Sequence, residues 1–197
     1  NLGQEMTLAA AVGSDLGLQP TEELAFAGAH LYAYSYLFDK KSATTARDVR
    51  AGFRVRMPGG GDDVTMTLWM KGSGERSVFS VLSPMTEGLS RIPDMPYDMK
   101  GQPTLTFVAR QRGEAWKRPF VAVFEPASER VPGTIREVLF PPVDGGGAES
   151  AVGIRVVHKD GREDRILSSD SASCLCRMDS MEARAAYALW SGSPQAG

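Results

Sequence analysis

Ligands for softer metal ions are scarce in this chain, whose 197 residues include two cysteines and two histidines. His30 and His158 stand far apart with no ligand spacing around either, so a zinc site would have to be built mostly from carboxylates. Metal binding by this chain alone is therefore not expected, and no cofactor is assigned to it. Cys174 and Cys176 sit two apart. On a strand such residues share a face about 6.5–7 Å apart, too far and too parallel for an easy disulfide. They read as two small half-buried residues on one strand face, which leaves the redox compartment open. A basic excess is missing too. The formal net charge is −2, against the strong positive balance of a generic nucleic-acid binder. No apolar run approaches the roughly 20 residues of a membrane helix. Neither nucleic acid nor a membrane is expected as a partner. G-x-S-x-G, H-E-x-x-H and the phosphate-cradling P-loop are likewise absent.

What is present is strand sequence. A hydrophobic fraction of 42% and a charged fraction of 23% are those of an ordinary globular protein. The length suits one large β domain, or one domain with a smaller appendage. Residues 4–12 and 24–38 alternate with period two. Residues 47–57 give the cleanest pattern: Val49, Ala51, Phe53, Val55 and Met57 point one way, and Arg50, Arg54 and Arg56 the other. A glycine-rich reversal leads to Val64, Met66, Leu68 and Met70 as the inward face of a partner strand, with Thr65, Thr67 and Trp69 outward. Further strands are predicted over 78–82, 104–111, 115–124, 134–140 and 171–178. Residues 152–158 and 162–168 form a hairpin about Asp160-Gly161. Residues 184–190 fit a strand or a helical turn equally well.

Almost no amphipathic helix, with turns every 8–12 residues or so, predicts an all-β antiparallel sandwich. The five apolar residues from Phe120 to Phe124, between Pro119 and Pro126, read as a strand buried on both faces. Residues 127–132 lack periodicity and mark a boundary. The expected division is a sandwich portion over 1–130, a small β domain over 131–190 and a disordered tail over 191–197.

Three clusters are candidates for binding. His30, Tyr32, Tyr34 and Tyr36 fall on one face of an extended segment. They could form an aromatic wall for sugar rings, although Tyr rings packed on a neighbour with their hydroxyls in water is the preferred reading. Arg50, Arg54 and Arg56 form a basic stripe suited to an anionic polymer, with Asp39, Asp48, Asp62 and Asp63 near enough in sequence to neutralise it. The Pro-rich stretch 83–103 reads as a long ordered loop carrying Glu87, Arg91 and Tyr97, and binding residues concentrate on such loops.

Four strings carry a family resemblance: Gly3-Gln4-Glu5-Met6-Thr7-Leu8, Leu31-Tyr32-Ala33-Tyr34, Gln102-Pro103-Thr104-Leu105-Thr106-Phe107 and Pro119-Phe120-Val121-Ala122-Val123-Phe124-Glu125-Pro126. They resemble the C-terminal β region of heparinase II/III-like polysaccharide lyases. The resemblance covers most of residues 1–132 and continues through the hairpin at Asp160-Gly161. It implies a parent enzyme in which an α/α toroid and the first part of the sandwich lie upstream. Such an enzyme cleaves uronate-containing, acidic polysaccharide by β-elimination in a periplasmic or secreted setting. The catalytic Tyr and His would lie before Asn1, and the zinc that some members carry would belong to the parent's sandwich. No catalytic residue is therefore assigned here, and the substrate-binding candidates are Glu87, Arg91, Tyr97, Tyr32, Tyr34, Tyr36, Trp69, Arg54 and Arg56. The alternatives are a free-standing carbohydrate-binding sandwich, with Tyr32, Tyr34, Tyr36 or Trp69 as a stacking platform, and a purely structural interaction domain.

Overall fold

The computed structural model describes residues 4–10, 16–22, 37–57, 61–74, 76–83, 103–113, 117–145 and 151–193. These residues are all β. In chain order the strands are β1 Gln4–Ala10, β2 Gln19–Pro20, β3 Phe38–Thr45, β4 Val49–Val55, β5 Val64–Met70, β6 Arg76–Ser83, β7 Thr104–Arg110 and β8 Ala122–Ser128. There follow β9 Ile135–Leu139, β10 Asp144–Gly145, β11 Val152–His158, β12 Glu163–Ser168, β13 Leu175–Met178, β14 Met181–Arg184 and β15 Tyr187–Gly192. Residues 24–36 of the strand expected over 24–38, and 84–102 of the loop expected over 83–103, lie outside the described residues.

The chain divides into two compact units, one of Asn1–Arg112 with Pro126–Val131 and one of Gly113–Glu125 with Pro132–Gly197. A single cut after residue 130 was expected. Instead the chain passes between the units three times, once within β8.

Unit one is a two-sheet sandwich. One sheet is ordered β1-β4-β5-β8 and the other β2-β3-β6-β7. In β4 the alternation read from sequence is realised at its start, where Val49 and Ala51 are fully buried and Arg50 is exposed, whereas Met57, expected inward, follows the strand and is 42% exposed. Val49 of the first sheet packs with Val78 of the second and with Leu16, and Ala43, Phe107 and Ala109 close around them. Asp48 accepts a hydrogen bond from the Gly72 amide at 2.6 Å. A Cβ at position 72 would come within 2.2 Å of the Ala46 carbonyl oxygen, so only glycine allows the two turns to meet there.

β6 is buried on both faces. Val78 faces the other sheet, while Phe79 and Val81, at 0% and 1% exposure, pack on the opposite face with Leu37 and Val108. Arg110 lies over the Phe79 ring at 5.2 Å. Arg76, also buried, opens the strand by donating to the Lys71 carbonyl and, at 2.8 Å, to the Gln111 side chain. The run 120–124, expected in this role, does not fill it: Phe120 is 48% exposed and Phe124 62%. β8 begins only at Ala122, ends its sheet's order and runs through Pro126. An end strand tolerates a proline because one side of its ladder is unused. Serines at 77, 80 and 83 break up the apolar pattern of β6, which hid its double burial from a composition-based reading.

Unit two pairs a four-stranded sheet, β15-β12-β11-β9, with a three-stranded one, β10-β13-β14. Leu167 of β12 packs on Cys176 and Met178 of β13, with Ala183 and Ala188 around them. Cys176 is fully buried and Cys174 partly so. The β11–β12 hairpin turns at Asp160-Gly161, where Gly161 has a φ of +88°. Residues 184–190, undecided between strand and helix, hold the end of β14 and most of β15, whose register with β12 runs from Ser168↔Tyr187 to Glu163↔Gly192. Ser191 and Gly192, expected in a disordered tail, complete β15.

Removing the Phe79 ring should leave a cavity in unit one. Phe79→Ala is expected to cost about 3–5 kcal/mol, against under about 1 kcal/mol for Phe124→Ala at its exposed site. Guanidinium unfolding midpoints of the two variants would check this, and the reverse ranking would place the core elsewhere.

Candidate functional site

Two groups of side chains have the chemistry for function among the described residues. The first is the outer face of β4 and β5. Pairing sets Arg50 opposite Trp69, Gly52 opposite Thr67 and Arg54 opposite Thr65. Arg50 places its guanidinium 5.6 Å from the centre of the Trp69 ring, a cation–π contact. Arg54 is held by Asp63, with Nη2 to Oδ2 at 2.5 Å. Arg130 takes the neighbouring Asp62 at 2.7 Å. Arg56 follows the end of β4 and is exposed. The Arg54 side chain is itself 48% exposed, and ion pairs at such sites contribute only about 0.2–1 kcal/mol. A carboxylated or sulfated polymer can therefore compete with Asp63 for this guanidinium, whose planar fork suits such groups.

Of the binding residues expected from sequence, Arg54 thus lies in β4 opposite Thr65 and Arg56 just past the strand's end, while Trp69 stands opposite Arg50. Trp69 does not offer a stacking platform. It is 5% exposed, and Arg50 sits over its ring, so no face is open to a sugar. The outward direction read from alternation is right, but a residue on an outer face can still be covered by its neighbours. Tyr32, Tyr34, Tyr36, Glu87, Arg91 and Tyr97, together with His30, lie outside the described residues.

The second group lies at the turn end of the β11–β12 hairpin. His158 is 6% exposed. The β11–β9 register slips between Val157 and His158, where Arg136 of β9 is the unpaired extra residue. The imidazole Nε2 lies 2.7 Å from Asp164 Oδ2, and Arg162 Nη2 lies 3.1 Å from Nδ1. A guanidinium can only donate. Nδ1 is therefore the acceptor, Nε2 carries the proton, and the ring is neutral. Arg162 Nη1 donates to Asp164 Oδ1 at 2.6 Å, and the Ser191 hydroxyl donates to the same oxygen at 2.5 Å. Thr134 Oγ1 stands 3.4 Å from Nδ1. Glu125 accepts from the amides of Thr134 and Ile135 at 2.5 and 2.7 Å.

This is not a nucleophile–base–acid relay. Ser191 is bonded to the carboxylate rather than to the imidazole, and a base must reach the hydroxyl it activates. The sequence treated His158 as an isolated histidine. Its partners are nonetheless inferable from the hairpin: Val157 pairs with Glu163, which sets residue 162 beside 158 and residue 164 diagonally across.

Burial acts to raise the Asp164 carboxyl, but hydrogen bonds from Ser191, His158 and Arg162, with the Arg162 charge, outweigh it and hold the group below the ordinary carboxylate range. A depressed acid contributes stability that is present above its unfolded value and lost as pH falls through its folded one. The stability gap between the unaltered chain and Asp164→Asn should therefore be full at neutral pH and shrink below about pH 4. Thermal unfolding at stepped pH reads this, and a gap that stays constant down to pH 2 or so would contradict it.

Among known proteins, the chain is 33% identical over 142 residues to the endo-acting ulvan lyase of Formosa agariphila, a match that takes in 70% of this chain and 16% of the relative's length. No family model matches the chain, and no solved structure does either. The similarity is to a polysaccharide lyase, and this chain corresponds in extent to a minor part of one.

Proposed function

We propose that the chain is a non-catalytic β-sandwich portion of a polysaccharide lyase and that the arginine face of β4 contacts the acidic polymer. The observation that carries this reading is the 33% identity to an ulvan lyase across 70% of the chain. The finer placement, with heparinase II/III-like lyases that cleave uronate polysaccharides by β-elimination, rests on the strings given above. On this reading an upstream toroid and the first sandwich strands supply the base and acid, and the enzyme acts in the periplasm or outside the cell. The network in unit two supports a non-catalytic role, since its serine, histidine and arginine are spent on one another. Trp69 is buried and offers no aromatic sugar platform, so this reading assigns contact at this face to charge.

Two measurements test the proposal. Incubated with sulfated or carboxylated uronate polysaccharide, the chain alone should generate no unsaturated uronate absorbance. In affinity electrophoresis through the same polymer it should be retarded, and added salt should reduce the retardation. Replacing Arg50, Arg54 and Arg56 together by Ala should weaken binding on the order of tenfold, the sum of a few exposed ion pairs. Lyase activity from the chain alone would refute the non-catalytic assignment. Retardation unchanged in the triple variant would remove the arginine face from the binding surface.

A further inference from the structure

The His158 cluster joins one end of every strand in the four-stranded sheet of unit two. His158 ends β11, Asp164 lies at the start of β12, Ser191 lies near the end of β15 and Thr134 immediately precedes β9. The charged groups around the imidazole are each accounted for. On the turn, Lys159 donates to the Gly133 carbonyl at 2.5 Å, Asp160 accepts from the Arg162 amide at 3.0 Å, and Arg162 faces the ring. On β12, Asp164 faces the ring, while Glu163 is taken by Arg165 at 2.9 Å. From β9, Glu137 pairs with Val157 rather than with His158. From β8, Glu125 reaches the imidazole only through Thr134, whose hydroxyl donates to it at 3.4 Å. β15 contributes the uncharged Ser191.

We propose that His158 is a proton-operated latch: taking up one proton at Nδ1 drives Arg162 off the ring and loosens the Ser191 end of β15. In the neutral state the Nδ1 lone pair accepts from Arg162 Nη2. A proton from solvent occupies that lone pair and sets N–H against N–H, with two cations in contact. The Nε2–H bond to Asp164 Oδ2 survives and gains charge. Thr134 Oγ1 is the acceptor toward which the new Nδ1–H can turn. Arg162 cannot follow, because its only role toward the ring is to donate. Its departure also withdraws Nη1 from Asp164 Oδ1 and from Ser191, to which it donates at 3.2 Å. The last pairs of the β12–β15 ladder, Asp164↔Ser191 and Glu163↔Gly192, then keep only the single Ser191–Asp164 bond beside them.

Nuclear magnetic resonance on the full chain tests the latch between pH 7.5 and 5 or so. Protonation followed at the His158 ring should share one midpoint with a shift of the Arg162 side-chain signals. Amide exchange protection at Gly192, whose pair with Glu163 is a hydrogen-bonded one, should fall at that same midpoint, on the order of tenfold, the weight of one charge-assisted hydrogen bond. Ala188, farther along the strand and bonded to β12 in the same way, should hold its protection. His158→Gln cannot take the proton and should show no acid-dependent loss at Gly192. If that variant does not fold, Arg162→Gln serves instead: its β15 end should already exchange faster at neutral pH and be insensitive to acid. Titration of His158 without movement of Arg162 or Gly192 would overturn the proposal. The same acid response in either variant would overturn it as well.

Discussion

The two-residue period of the pleated strand is the constraint on which the rest of the structure depends. In β4 the burial of Val49 and Ala51 against the second sheet leaves Arg50 and Arg54 no direction but outward. Pairing with β5 then decides what those arginines stand beside, because register puts Trp69 against Arg50 and Thr65 against Arg54. A slip of one residue would turn the charged row into the core. Core and charged face are thus one decision, taken where Val49 meets Val78.

The two polar groups of the molecule differ in what their charges can still do. On the β4 face the guanidiniums are exposed and hold partners that solvent screens, so an external polyanion can exchange with Asp63. At the hairpin in unit two the donors and acceptors close on each other, with Asp164 taking bonds from three side chains. A closed network has little left for a ligand.

Strand existence was readable where polar and apolar residues alternate or where a turn is chemically marked. β4, β5, β7 and the β11–β12 hairpin follow their sequence patterns closely. The failures came from runs whose composition is ambiguous. The 120–124 run is apolar enough for a central strand, yet it falls at the end of a sheet with two exposed phenylalanines. β6 looks like a modest strand and has buried side chains on both faces. Burial depends on how many layers lie against a strand, and no local property of the strand counts them. The candidate site was legible to the same extent: the arginine row followed from alternation, while the covering of Trp69 by Arg50 did not.

By itself the sequence determined the all-β class, the turn at Asp160-Gly161, the directions of Val49, Arg50 and Ala51 in β4, and the likeness to polysaccharide lyases. These are consequences of nearest-neighbour backbone chemistry and of residue strings, which a linear reading contains. Tertiary structure alone decided that β6 rather than the 120–124 run is covered on both sides and that residues 113–125 pack with the C-terminal unit. It also decided that His158 shares its ring with Arg162 and Asp164 while Ser191 arrives from another strand. Each of those outcomes requires residues distant in sequence to meet, and which ones meet is settled by packing the whole chain at once.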